Sequence, residues 1–313
     1  MSEYVIQTTG LTKQFGSITA VDQLSLSVPR HSIVGFLGPN GAGKSTTIKL
    51  LLGLIKPTSG EGTVFGKDIR TQNTSIRQRL GYLAQHPSFY PNLTARETLR
   101  FVARFFYTDE ALIEYRIDES LDLVGLKNKA DRVIKSFSGG EMQRLGIAQA
   151  YINHPDLLIL DEPAAALDPM GRADVLDIMT ELRQTSTIFF STHILDDVQR
   201  VSDRVVILNH GKLVTEGPIE ELLLGDDGVW YDVQLIGADD RSKETLQEQP
   251  WVVNVEELAV EETRHWRVAV SDDQAAQQHL LRLLLAQESV RVIHFGRQTY
   301  ELEDVFMKLV EDD

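Results

Sequence analysis

The stretch Gly38-Pro39-Asn40-Gly41-Ala42-Gly43-Lys44-Ser45-Thr46 decides the fold. It lies between an apolar run at 32–37, rich in strand formers, and a helical pattern over 45–55 with apolar residues at Ile48, Leu51, Leu52 and Ile55. The spacing is G-x-x-x-x-G-K-[ST] between a strand and a helix. Glycines there let the backbone wind so that its N–H groups converge on phosphate oxygens, and the helix amino terminus adds a favourable field. Lys44 then sets a point charge on the β- and γ-phosphates, and the Ser45 hydroxyl holds Mg²⁺.

Further apolar runs at 157–160, 187–190 and 205–208 alternate with helical patterns, which predicts a parallel sheet covered on both faces. The second run ends in Asp161-Glu162, at the strand end where ligands bind in open α/β sheets. Asp161 fits the Mg²⁺ site through water, and Glu162 is suited to orient or deprotonate an attacking water. These two motifs define a P-loop nucleotide hydrolase or kinase. Phe137-Ser138-Gly139-Gly140-Glu141 narrows the choice, because it is a second anion cradle at a helix start. One site needs one cradle, so the second is expected to serve the nucleotide held by another copy, head to tail.

Outside the core, residues 4–11, 22–28 and 62–64 read as strands of an antiparallel side sheet, and 95–106, 113–124 and 140–153 as helices. Asn209-His210-Gly211-Lys212 reads as a hairpin turn and Gly225-Asp226-Asp227-Gly228 as a linker. The order beyond it, strand 229–236, helix 242–249, strands 251–258 and 264–270, helix 273–287 and strand 290–295, is ferredoxin-like, with a last helix at 301–310. The expected domains are 1–224, with a helical subdomain at about 88–151, and 225–313.

Composition sets limits on this reading. The 313 residues are 42% apolar and 25% charged, which excludes a disordered chain, and the absence of cysteine excludes disulfides and thiolate metal sites. No run approaches the roughly 18 apolar residues that span a bilayer. The charge of −15 is uneven, with net −2 over residues 1–220 and −13 over 221–313. That acidic third argues against a nucleic-acid partner.

Taken in order, these motifs resemble those of the ATP-binding subunits of ATP-binding cassette (ABC) transporters over residues 3–220. The shared set is the phosphate loop, Gln85 after the strand at 80–84, the Ser-Gly-Gly turn, Asp161-Glu162, Ala166-Leu167-Asp168-Pro169 and His193. The resemblance implies a RecA-like core binding ATP and Mg²⁺, with Phe15 stacking on adenine and residues 38–46 (Gly38, Pro39, Asn40, Gly41, Ala42, Gly43, Lys44, Ser45 and Thr46) holding phosphates. It implies Gln85 at Mg²⁺ or the lytic water, Ser138, Gly139, Gly140 and Glu141 on the facing nucleotide, and Asp168 at the dimer seam. His193 is expected at the γ-phosphate beside Glu162.

Glu141 stands where Gln is usual, Ala165-Ala166 replaces a frequent Ser-Ala, and Arg30-His31 a frequent Gly-Glu. Because Glu162 and His193 are both present, turnover rather than inert ATP binding is expected. The family reading supplies a separate transmembrane permease, a homodimer or a heterodimer with a related cassette, and a peripheral place on the cytoplasmic face of the membrane. Phe89, Tyr90 and Leu93 are candidate anchors for that permease. The acidic domain and its closing pattern Tyr300-Glu301-Leu302-Glu303-Asp304-Val305-Phe306 resemble the accessory domain of bacterial export-type ATPases. A soluble cassette ATPase of translation or DNA repair is the alternative; it lacks support because the chain has neither a second cassette nor a long coiled-coil insertion.

Overall fold

The computed structural model describes residues 3–165, 167–224, 229–260, 263–286, 289–298, 302, 303 and 306. The chain divides into two units, residues 1–219 and 220–312.

The first unit opens with β1 (Tyr4–Phe15), β2 (Ile18–Leu24) and β3 (Ser27–Pro29), then runs through β4 (Ile33–Leu37) into α1 (Lys44–Leu51). β5 (Ser59–Val64) and β6 (Lys67–Asp68) follow, and α2 (Asn73–Arg77) leads to β7 (Leu80–Leu83). Three helices come next: α3 (Ala95–Ala103), α4 (Glu110–Leu123) and α5 (Gly139–Tyr151). The unit is completed by β8 (Leu157–Asp161), α6 (Pro169–Leu182), β9 (Thr187–Thr192), α7 (Leu195–Val201), β10 (Arg204–Asn209) and β11 (Lys212–Pro218), and α8 (Ile219–Leu224) begins at its edge.

The central sheet has the order β11-β10-β4-β9-β8-β7, parallel except for the β10-β11 hairpin. Every residue of β4, β8 and β9 is buried, as near-continuous apolar strands covered on both faces should be. The parallel arrangement brings the carboxyl ends of β4, β9, β8 and β7 side by side, so four adjacent strands deliver the phosphate loop, His193, Asp161-Glu162 and Gln85 to one edge. The side sheet, β2-β1-β5-β6 with β3 also on β1, is antiparallel.

Two expectations are corrected. Residues 22–28 form not one strand but the end of β2 and the start of β3. Gln23 turns into the left-handed region at φ 47°, and the Thr8 hydroxyl donates to Leu24 O and accepts from Leu26 N. The chain thereby transfers from the far half of β1 to its near half. The helix expected to reach residue 55 stops at Leu51, because Gly53 adopts φ 62° and donates to Leu50 O while Leu54 N–H donates to Lys49 O. That pair of bonds satisfies carbonyls the helix end would otherwise leave open. The other helices differ from expectation by one to three residues at their ends, and α4 gains a turn because Asp109 caps it.

The second unit contains β12 (Val229–Ile236), α9 (Asp240–Gln247), β13 (Val252–Val260), β14 (Arg264–Val270), α10 (Asp273–Leu285) and β15 (Arg291–Gln298). Its antiparallel sheet has the order β13-β14-β12-β15, the ferredoxin-like arrangement. Tyr231, Val233, Trp266 and Val268 form its core with Leu246, Ala276, Leu280 and Leu284 of the two helices. The expected linker at 225–228 lies outside the described residues, as do Ala166 and all of the closing pattern except Leu302, Glu303 and Phe306.

Candidate active site

The loop at 38–46 is shaped by contacts within the chain. Gly43, at φ 105°, caps α1, and a Cβ there would lie 2.4 Å from the Ala20 carbonyl oxygen, so only glycine fits. The β10-β11 turn braces the loop from outside. His210 and Gly211 both adopt positive φ, as a two-residue hairpin turn requires. Gly211 N–H donates to Ala42 O at 3.0 Å, and Asp22 N–H donates to Gly211 O at 2.8 Å. Side sheet, hairpin and phosphate loop are thus one hydrogen-bonded unit.

The groove above the loop is lined by Ala20, residues 39–46, Gln85 and Glu162. Lys44, 7% exposed, donates to Gly38 O at 2.6 Å and Pro39 O at 3.3 Å and stands 3.5 Å from Glu162 Oε1. The ammonium is therefore held by the Glu162 carboxylate and by carbonyls. Glu162 is 5% exposed and sits at φ 52°, and its Oε2 lies 2.9 Å from His193 Nδ1. Facing an ionised carboxylate, Nδ1 is the donor. Asp161 Oδ1 accepts from Ser45 Oγ at 3.4 Å. The hydroxyl of Ser45, the carboxylate of Asp161 and the amide of Gln85 form an oxygen donor set that fits a hard divalent cation.

The remaining predicted residues lie outside this groove lining. Ser138 caps α5 in a capping box with Glu141: Glu141 N–H donates to Ser138 Oγ at 3.2 Å, and Ser138 N–H donates to Glu141 Oε2 at 2.8 Å. Lys129 Nζ donates to Glu141 Oε1 at 2.5 Å, and this ammonium holds the Glu141 carboxyl below the usual range. Gly139 and Gly140 show no close neighbour that forbids a side chain: a Cβ on Gly139 meets nothing within 4 Å, and one on Gly140 only Leu167 at 3.9 Å. Phe15 is 50% exposed, with Lys13 Nζ 4.9 Å from its ring centroid. Asp168 caps α6 by accepting from Gly171 N–H at 3.0 Å.

The model of the family described as ABC transporter matches residues 21–165. Over 308 residues the chain is 38% identical to the bacitracin transport ATP-binding protein BcrA of Bacillus licheniformis, covering 98% of this chain and 97% of that one. The chain belongs to the ABC transporter family. It is an ATP-binding, ATP-hydrolysing cassette, and cassettes of this family pair with one another and with membrane permeases. It is 39% identical over 218 residues to the daunorubicin/doxorubicin resistance ATP-binding protein DrrA of Streptomyces peucetius, across 69% of this chain and 66% of that one. Among solved structures it superposes on cbiO1 of Clostridium perfringens, part of the complex cbiONQ, with TM-score 0.66, 28% identity and coverage of 71% and 91%. The dimeric post-hydrolysis cassette MJ0796 bound to ADP and Pi gives TM-score 0.63, 26% identity and coverage of 68% and 98%.

Sequence reading missed the contacts that tie the cassette's loops together. Gln143 on α5 donates to Pro163 O at 2.8 Å, linking the Ser-Gly-Gly helix to the loop after Glu162. Arg172 of α6 pairs with Asp197 of α7, joining the Asp168 helix to the one that follows His193. The side chain of Asp197 is 2% exposed, and burial pushes its carboxyl above the ordinary 3.8 despite Arg172. Arg172→Ala should cost about 3 kcal/mol at neutral pH, because it strands a buried carboxylate. The sign follows from the raised value: as pH falls through it Asp197 takes a proton and the penalty fades. Denaturant titrations of both proteins should therefore converge in acid; a pH-independent gap would contradict the account.

Proposed function

We propose that this cassette closes head to tail with a second copy or a related cassette over two Mg-ATP, driving a separate permease in a bacterial exporter. The observation that carries the dimer is the Ser138-Gly139-Gly140 turn. It lies outside its own chain's phosphate groove; a side chain on Gly139 would meet open space, and one on Gly140 only an ordinary contact with Leu167. Both glycines open α5 directly after its cap, and intrachain packing gives no reason for glycine there. Close approach of a phosphate held by the partner does. A dimeric relative bound to ADP and Pi supports the pairing of two cassettes.

Residues 39–46 cradle the phosphates, and Lys44 leaves Glu162 for the γ-phosphate. Ser45, Asp161 and Gln85 would hold Mg²⁺, which would supply positive charge against the phosphates. Glu162, released from Lys44, accepts the proton of the attacking water. His193 orients Glu162 through Nδ1; its Nε2 can donate to phosphate at the same time only as the imidazolium. Because ATP bridges Lys44 of one chain and Ser138 of the other, it favours the closed pair, and hydrolysis removes that preference.

For the permease, the helical segment offers a groove lined by Leu93, Glu97, Arg100, Phe101, Arg104 and Phe105. Tyr90 and Phe105, 66% and 72% exposed, each meet Phe101 edge-on, an apolar ladder suited to a partner helix. No helix among the described residues is long and apolar enough to cross a membrane. Likeness to BcrA across both units, and to DrrA, favours export of an antibiotic-like cargo and a peripheral position on the cytoplasmic membrane face. The second unit is assigned a role in stabilising or regulating the dimer.

Ser138→Ala tests the composite site. ATP binding to the isolated chain should stay within about twofold, and turnover should fall about tenfold or more, since one donor to the transition state is lost. Wild-type turnover would refute the shared site. Purification from native membranes should bring down a polytopic protein; recovery with ribosomes or DNA would refute the transport role.

A further inference from the structure

We infer that Ser191 is a positioning residue that aims both carboxylates of the site, Asp161 toward the cation and Glu162 toward the water. The inference rests on the roles proposed above for those two residues. In the parallel β8-β9 ladder Asp161 is paired with Ser191. Ser191 is completely buried, so its hydroxyl must find protein partners. It donates to Asp161 Oδ1 at 2.5 Å and accepts from Glu162 N–H at 3.1 Å, and the same N–H also reaches Ser191 O at 3.1 Å. One residue therefore holds the side chain of the first acid and the backbone of the second.

Both contacts are needed where they are. The bond to Asp161 is far shorter than the 3.4 Å contact from Ser45, so Ser191 rather than Ser45 fixes the carboxylate rotamer. Ser45 is thereby left to turn toward the cation. Glu162 adopts φ 52°, a left-handed conformation that is strained for a residue bearing a side chain. Its doubly held N–H anchors that backbone and keeps the carboxylate between Lys44 and His193.

In Ser191→Ala, Glu162 N–H keeps the Ser191 carbonyl while Asp161 loses its donor, so the defect should appear chiefly in metal use. The readout is the factor by which Mg²⁺ tightens binding of adenylyl imidodiphosphate, from calorimetry with Mg²⁺ and with EDTA. In Ser191→Ala that factor should shrink at least fivefold, with affinity in EDTA unchanged within twofold and the melting temperature close to that of the parent. Ser191→Cys, a weaker donor of similar size, should fall between, and kcat should follow the same order with little change in KM. The inference is overturned if the Mg²⁺ factor is that of the parent in both variants. Asp161→Asn is the control. If it also leaves the factor unchanged, the assignment of Asp161 fails; if it alone reduces the factor, only the role of Ser191 fails.

Discussion

Glu162→Gln should lower ATP turnover by roughly 10²–10⁴-fold while ATP affinity holds or rises. The amide keeps the shape of a side chain that is 5% exposed and 2.9 Å from His193, but it cannot take a proton from water. It also removes a negative charge 3.5 Å from Lys44, a charge that competes with phosphate for the ammonium. Nucleotide binding then no longer has to break a buried ion pair. With hydrolysis blocked, the closed pair should accumulate, visible as a dimer in size-exclusion chromatography with Mg-ATP. Phosphate release at the parent's rate would show that another group is the base.

Lys44→Ala should weaken ATP binding by about 100-fold, on the scale of losing one member of a desolvated charge pair. Among the residues lining the groove Lys44 carries the only positive side chain, so no neighbour replaces it. The protein's own contacts change as well. Gly38 O and Pro39 O lose a donor, and the buried Glu162 carboxylate loses its nearest cation. Calorimetry on the isolated chain separates this from Ser138→Ala, which should leave binding intact. Equal losses of affinity in both variants would mean that the two residues serve one nucleotide within a single chain.

These residues are legible in the sequence because contiguous stretches carry them: a glycine loop flanked by strand and helix, or an acid pair closing an apolar strand. The order β12-α9-β13-β14-α10-β15 is legible for the same reason, since each element keeps its own period. Contacts through space leave no such trace. Arg172 and Asp197 lie on helices separated by the strand β9, and Ser191 is an ordinary strand residue until the β8-β9 register sets it against Asp161. The end of α1 at Leu51 could have been read from Gly53, which supplies the left-handed residue a helix stop favours. The split of residues 22–28 could not, because it depends on the Thr8 hydroxyl. Glu141 departs from the usual Gln, yet its carboxylate closes the helix cap and meets Lys129, a local charge balance invisible in the motif alone.

The brace formed by His210 and Gly211 changes how that hairpin should be treated at the bench. A two-residue bend between surface strands is ordinarily a first choice for splicing in an epitope or a fluorophore. In this protein Gly211 grips Ala42 on one side and Asp22 on the other. Cargo grafted there would pull on the nucleotide pocket itself, and a label meant to be a silent reporter would alter the binding it was installed to watch.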